Sequence, residues 1–295
     1  MSSVLVTGAS GNVGRHIVDQ LASTGVEVRA AGHSPAQSDG VRPLGEASGS
    51  ADWVPFGFSE PATWEAAFAG VQTMFLLRPP AISNVKRDLL PAVAAARRAG
   101  LRHVVFLSLQ GAQHNRVVPH AKVESWLRSS GLGWTFVRPS FFTQNLSTTH
   151  VADIRDRDQI IIPAGGGRTA FVDAMDVASV ATAALLNPEN HRGWAWTVTG
   201  PEALTYAEVA DILTRVLGRS ITYTRPGLLR YLRHARRALG MPRTMAVVTG
   251  TIYTTARMGF AAGLTDDVRR VTGRAPLGVE ETAQRERAAW TASPA

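Results

Sequence analysis

No cysteine occurs in this 295-residue chain. That excludes disulfides, thiolate metal sites and cysteine nucleophiles, and it fits a cytoplasmic protein. Lysine is nearly absent as well: of 31 Lys and Arg residues, only Lys86 and Lys122 are lysines. Arginine keeps its proton at every working pH, whereas a partly buried lysine can give one up. A position that stays lysine against this bias is therefore a candidate for a titratable amine. No apolar run approaches the roughly 18 residues that a membrane-crossing helix needs. The first strand opens almost at the first residue, so no leader peptide is expected. No Gly-Lys-Ser or Gly-Lys-Thr follows a glycine loop, which excludes a nucleoside-triphosphatase phosphate loop. No Gly-x-Ser-x-Gly elbow occurs, which excludes an α/β-hydrolase. His114 and His120 flank Pro119 without a third ligand or helical spacing, so no metal site is expected.

What the chain does have begins at its N-terminus. Val4-Leu5-Val6-Thr7 is a short apolar run of the kind that forms a buried parallel strand. Gly8, Gly11 and Gly14 follow at a spacing of three. The next segment puts Val13, Ile17, Val18 and Leu21 on one helical face. Strand, glycine turn and helix start are the order that a dinucleotide pyrophosphate site requires. Gly8 permits the turn, Gly11 lets backbone approach phosphate, and Gly14 lets helix pack on strand. The helix N-terminus adds unpaired N–H groups and a positive dipole end.

Strands are then expected at 26–31, 53–56, 71–77, 104–108 and 134–138, with helices at 61–68, 84–98 and 120–129 between them. Alternation of this kind gives a doubly wound parallel sheet, an α/β fold. A strand is also expected at 195–199, and helices at 173–186 and 206–217. Short pieces at 160–163 and 168–172 are read as bordering a cleft. Residues 1–150 are read as the cofactor-binding core, with 170–200 returning to it. Residues 151–169 and 201–295 form a smaller substrate lobe. Where the second strand ends, an acidic side chain would hold the ribose 2′-hydroxyl of NAD, and none is present. Arg29, His33 and Ser34 can instead meet a 2′-phosphate, which favours NADP(H) over NAD(H).

Thr7 to Gly14 resembles the cofactor loop of the atypical short-chain dehydrogenase/reductases, in particular the NmrA-like group. Phe75-Leu76-Leu77-Arg78-Pro79-Pro80, Val104 to Ser108, His120-Ala121-Lys122-Val123-Glu124, Val137 to Asn145 and Phe171 to Ala178 are similar to that group's later landmarks. The resemblance implies an NAD(P)-binding Rossmann core with a smaller C-terminal lobe. By it, Gly8, Ser10, Gly11, Asn12, Val13 and Gly14 match the pyrophosphate loop. His33, beside Ser34, takes the place of an arginine against the NADP phosphate. Leu77, Arg78 and Pro79 match the segment under the adenine ribose. Ser108 matches the serine beside the nicotinamide, and Lys122 the lysine on its ribose. Pro139, Ser140 and Phe141 match the loop that walls the nicotinamide. Two positions depart from the pattern. Val118 stands where short-chain reductases carry a proton-donating tyrosine, and Gly57 where relatives carry an aspartate near the adenine.

The reading that follows is an NADP(H)-dependent oxidoreductase acting on a quinone, an enone or another flat carbonyl compound. Lys122 and Ser108 are its candidate catalytic residues; the alternative for Lys122, favoured over proton transfer, is a ribose hydrogen-bond donor only. A non-catalytic NADP(H) sensor and a redox-neutral enzyme on the same fold are the alternatives. A small-molecule substrate is expected, with neither membrane nor nucleic acid as partner, and a homodimer stays open. The net charge of +8 is concentrated in part on Arg225 to Arg243, which alternates with Leu228, Leu229, Tyr231, Leu232 and Leu239. Such a run is usually a solvated helix face. Trp194, Trp196, Tyr223, Tyr231, Tyr253 and Phe260 are read as belonging to the lobe, where they line a flat pocket or pack its core.

Overall fold

The computed structural model describes residues 3–32 and 51–291. His33 and Ser34 lie outside the described residues. The chain divides into two compact units. The first holds Met1–Pro139, Ala174–Val198 and Arg270–Gly273; the second holds Ser140–Asp173, Thr199–Arg269 and Arg274–Ala295. The first break thus falls at Pro139, ahead of residue 150.

Strands β1 (Ser3–Thr7), β2 (Glu27–Gly32), β3 (Ala51–Pro55), β4 (Val71–Leu77), β5 (His103–Leu107) and β6 (Gly133–Pro139) alternate with helices. These are α1 (Gly14–Ala22), α2 (Trp64–Phe68), α3 (Val85–Asp88), α4 (Leu90–Arg98) and α5 (Pro119–Ser129). Next come β7 (Phe141–Phe142), α6 (Val151–Arg157), β8 (Gln159–Ile160), β9 (Arg168–Val172), α7 (Ala174–Leu186), α8 (Pro188–His191) and β10 (Ala195–Val198). Then follow β11 (Ala203–Thr205), α9 (Tyr206–Leu217), β12 (Thr222–Tyr223), α10 (Leu228–Arg237) and α11 (Arg243–Arg257). Helices α12 (Asp267–Thr272), α13 (Val279–Arg285) and α14 (Ala288–Thr291) end the described chain. No helix among the described residues is long and apolar enough to cross a membrane.

The first unit is built on a seven-stranded sheet in the order β10-β6-β5-β4-β1-β2-β3, every pair parallel. It is the expected doubly wound, Rossmann-type sheet. Successive side chains on a strand point to opposite faces. On one face Leu5, Met74, Leu76, Val104, Phe106 and Phe136 pack with apolar residues of α2, α4 and α5. α1 and α7 contact the sheet strands as well as each other, and Gln20 of α1 donates to Ser179 of α7 at 3.1 Å. Strand order runs outward from β1 in one direction and from β4 in the other. The reversal between β1 and β4 makes a crevice at their carboxyl ends, where such sheets bind ligands.

One helix is two. The segment 84–98, expected to be continuous, breaks at Leu89 between α3 and α4. Pro91 lacks an N–H and its ring opposes the carbonyl of residue 87, so the helix must restart with proline in its first turn. Asn84 caps α3 by accepting from the Arg87 N–H at 3.3 Å.

The second unit holds β11, β9 and β7 in one small sheet and pairs β12 with β8. Its core is aromatic. Tyr206 and Tyr231 meet Tyr253 edge-on, with ring centroids 6.0 and 6.1 Å apart, and Phe171 meets Tyr206 at 5.3 Å. Tyr231 and Tyr253 are thus core residues, whereas Phe260 is exposed. Trp194 and Trp196 belong to the first unit and not to the lobe; they stack on each other at 4.9 Å. In α10 only Tyr231 and Ala235 are buried, so its arginines are solvated as expected, but Leu228 and Leu229 are exposed with them.

Buried histidines give this fold an acid limit. His103 Nε2 lies 3.0 Å from Thr135 Oγ1, whose hydroxyl donates to the His191 carbonyl at 2.7 Å. The Thr135 proton is spent there, so His103 must supply the Nε2–H, and its buried Nδ1 has no partner among the described residues. Burial, then the charge of Arg192, lowers the His103 pKa to about 4, with Glu189 opposing. Burial lowers His150 to about 3. Below pH ~6.5 the unfolded chain takes up protons that these folded rings refuse. Stability is therefore complete above that pH and lost as pH falls toward about 4, by about 3 kcal/mol for His103. Urea titrations from neutral to acid pH should show a shallower acid slope for His103→Gln, whose amide can also donate to Thr135. An unchanged slope would refute the assignment.

Candidate active site

Thr7 ends β1 and does more than bury itself. Its hydroxyl donates to the Phe75 carbonyl at 2.9 Å and accepts from the Leu77 N–H at 2.9 Å. It therefore pins the end of β4 beside the glycine turn and sets Leu77, Arg78 and Pro79 at the crevice. Gly8 has φ +64, a conformation that favours glycine. The Gly11 N–H folds back onto the Gly8 carbonyl at 3.0 Å, and the Arg15 N–H onto that of Gly11 at 3.1 Å. Among the described residues, the N–H groups of Asn12, Val13 and Gly14 form no backbone hydrogen bond. A Cβ on Gly14 would lie 2.1 Å from the Gly8 carbonyl oxygen, so no side chain fits there. This is the geometry of an anion cradle: bare amides at a helix start, with backbone free to approach. A dinucleotide pyrophosphate fits it. Arg15 follows directly, with its Nε buried and without a partner among the described residues.

Of the residues expected to meet a 2′-phosphate, Arg29 is already engaged. Its Nη1 donates to the carbonyls of Ala66 and Ala69, and its Nη2 lies 3.6 Å from Glu27. It ties β2 to the end of α2, so its guanidinium already has partners. At Gly57 a Cβ would come within 2.6 Å of the Glu60 carboxyl carbon. The backbone there is packed by Thr63 and by the Trp64 indole, which donates to the Gly57 carbonyl at 2.9 Å.

Arg78 arches over its own loop, donating from Nη1 to the carbonyls of Pro79, Pro80 and Ile82. Its Nε faces His120 Nε2 at 3.4 Å. His120 sits in the first turn of α5, within the helix expected at 120–129. Burial, then the Arg78 charge, lowers its pKa to about 4, so it is neutral at pH 7. Accepting on Nε2 leaves its proton on Nδ1, which is buried with no partner among the described residues.

Ser108 follows β5 and donates from Oγ to Glu124 Oε1 at 2.7 Å. Its proton is thus committed to a carboxylate and not offered to a substrate carbonyl; its lone pairs remain. Glu124, on α5, is 1% exposed. Arg138 of β6 holds it with Nε at 2.9 Å and Nη2 at 2.6 Å, a bidentate pair. Arg128 adds a longer contact at 3.4 Å. Glu124 and Arg138 were not foreseen as site residues. Their signal lay in α5: His120, Glu124 and Leu127 fall at i, i+4 and i+7, which puts a carboxylate on the apolar face.

Lys122 is exposed, contrary to the partly buried position expected, and makes no hydrogen bond among the described residues. Pro139 accepts from the Gln110 N–H at 2.9 Å and closes β6. Ser140 and Phe141 open the second unit, where Ser140 Oγ is buried without a partner among the described residues and Phe141 pairs with Phe171 between β7 and β9.

The model of the NmrA-like family matches residues 1–249. This chain belongs to that family. It is 32% identical over 297 residues to an NAD(P)H azoreductase of Xenophilus azovorans, covering 98% of this chain and 100% of that protein. It is 33% identical over 280 residues to a (4-alkanoyl-5-oxo-2,5-dihydrofuran-3-yl)methyl phosphate reductase of Streptomyces griseus, covering 92% and 93%. Its fold is similar to that of an NADPH-dependent quinone oxidoreductase of Escherichia coli, solved with NADPH, at TM-score 0.80 and 20% identity over 96% of this chain and 99% of that one.

Proposed function

We propose that this NmrA-like protein is an NADP(H)-dependent oxidoreductase that reduces a quinone, an enone or another flat conjugated compound. Its coarser part, an NAD(P)H-dependent oxidoreductase, is supported by relatives named as reductases over nearly the full chain. The observation that carries it is the cradle between Gly8 and Gly14, in which the 2.1 Å approach to the Gly8 carbonyl leaves room for backbone alone. The N–H groups of Asn12, Val13 and Gly14 hold the pyrophosphate, with Ser10 and Gly11 completing the loop. Leu77, Arg78 and Pro79 are assigned to the adenine ribose, and Pro139 to the nicotinamide end. The preference for NADP(H) rests on His33 and Ser34, with Arg15 as a further cation at the helix start.

When bound, the reduced nicotinamide supplies a hydride. The chain then has to orient the acceptor and manage one proton. With Val118 in place of tyrosine and the Ser108 proton on Glu124, Lys122 is the amine left to donate to the ribose or to the acceptor oxygen. A quinone asks little more, because its proton can come from water. A non-catalytic NADP(H) sensor is the second reading, and Val118 is what favours it.

Mixing the protein with NADPH and a panel of quinones, and following NADPH absorbance, tests the proposal. Turnover is expected, and Lys122→Ala should lower kcat by about ten-fold or more while NADPH affinity stays within about three-fold. Tight NADPH binding with no turnover on any acceptor would establish the sensor instead.

A further inference from the structure

The first unit carries a cavity of about 1130 Å³ that none of the residues Gly8 to Gly14 lines. It is bounded by the start of α3, the loop before α5, and α5 itself. Both lysines of the chain, Lys86 and Lys122, line it, together with Arg116 and Arg128. In a chain that uses arginine almost everywhere else, this convergence is the observation to explain. Lys86, Arg116 and Lys122 are all exposed, and none has an ion-pair or hydrogen-bond partner among the described residues. Arg128 is already engaged: it contacts Glu124 and lies over the Phe136 ring at 4.8 Å. Glu124, the acidic residue of the lining, is neutralised by the bidentate Arg138. The cavity therefore presents three uncompensated positive charges on a concave surface, where field lines concentrate and attract anions. Trp126 adds an aromatic surface to the same wall.

We propose that this cavity binds an organic oxyanion, a phosphate monoester or a sulfonate borne on an aromatic ring, as the charged end of the substrate. Lys86 and Arg116 hold the oxyanion by charge-assisted hydrogen bonds, and Trp126 packs on the ring. Lys122 lines this cavity and is also the amine assigned to the cofactor and acceptor. A ligand anchored at Lys86 and Arg116 therefore extends toward it. The substrate role rests on the oxidoreductase reading; the binding of the anion does not.

Calorimetric titration with 1-naphthyl phosphate, 1-naphthalenesulfonate and uncharged 1-naphthol, with and without saturating NADPH, tests this. At least one of the two anions should bind more tightly than the naphthol by about ten-fold, and added salt should weaken it. The tighter of the two identifies the oxyanion. Lys86→Ala and Arg116→Ala should each weaken that binding by about ten-fold, and Lys86→Arg should restore most of it. NADPH oxidation with an uncharged quinone should be unchanged in Lys86→Ala and Arg116→Ala, so failure of the anion site is distinguishable from failure of the enzyme reading. Equal affinity for the naphthol, no effect of either substitution, or displacement of the anion by NADPH would each overturn the proposal.

Discussion

Glu124→Ala is expected to cost about 3–5 kcal/mol of folding stability, the penalty for leaving a buried charge without its partner. The carboxylate is 1% exposed, and Arg138, at 7%, has it as its only ion-pair partner among the described residues. Removing it also orphans the Ser108 hydroxyl, which donates there at 2.7 Å. These groups lie where β5 and β6 end, so the damage reaches the floor of the proposed nicotinamide site. Truncation is harmful because it is one-sided. Replacing both partners at once, as in Glu124→Leu with Arg138→Met, should recover much of the loss, since an apolar pair needs no counter-charge. Urea unfolding of wild type, the two single variants and the double variant measures this as a cycle. A loss below about 1 kcal/mol in Glu124→Ala would mean that water already reaches the pair.

This network also shows what sequence can and cannot supply. Strands β1, β4 and β5 were legible because a parallel strand buried on both faces is an unbroken apolar run. Helix α9 was legible at both ends, from its Thr205–Glu208 capping box and the left-handed Gly218. The two-residue strands β7, β8 and β12 carry no period that a pattern could detect. The break at Leu89 was legible in principle, since Pro91 forbids a continuous helix across 84–98. At the site, the glycine turn was legible because its chemistry is local. The Ser108–Glu124–Arg138 cluster was not, because it depends on register. Leu107 pairs with Val137, which brings Ser108 level with Arg138, and no single segment contains that information. Thr7 escaped for the same reason: its role is to join two strands that are 68 residues apart in sequence at their Thr7–Phe75 bond.

Gly14→Ala should abolish dinucleotide binding, and it tests the cradle directly. A Cβ there would stand 2.1 Å from the Gly8 carbonyl oxygen, 2.8 Å from its carbon and 2.9 Å from the Ala9 Cα. All three are backbone atoms, so no rotamer change can relieve the overlap; α1 must move away from β1. That movement displaces the amides of Asn12, Val13 and Gly14. NADPH affinity should fall by about a hundred-fold or more, and the melting temperature should fall as well, since backbone strain at such a site costs several kcal/mol. Gly11→Ala is the graded control. Its Cβ would meet only the Gly8 oxygen at 3.2 Å, a contact that a few tenths of an ångström relieve, so its effect on affinity should be clearly smaller. Binding would be read by fluorescence of NADPH on titration, with folding checked by circular dichroism. If Gly14→Ala bound NADPH like wild type, the pyrophosphate would have to sit elsewhere. The oxidoreductase reading would then lose the geometry that supports it.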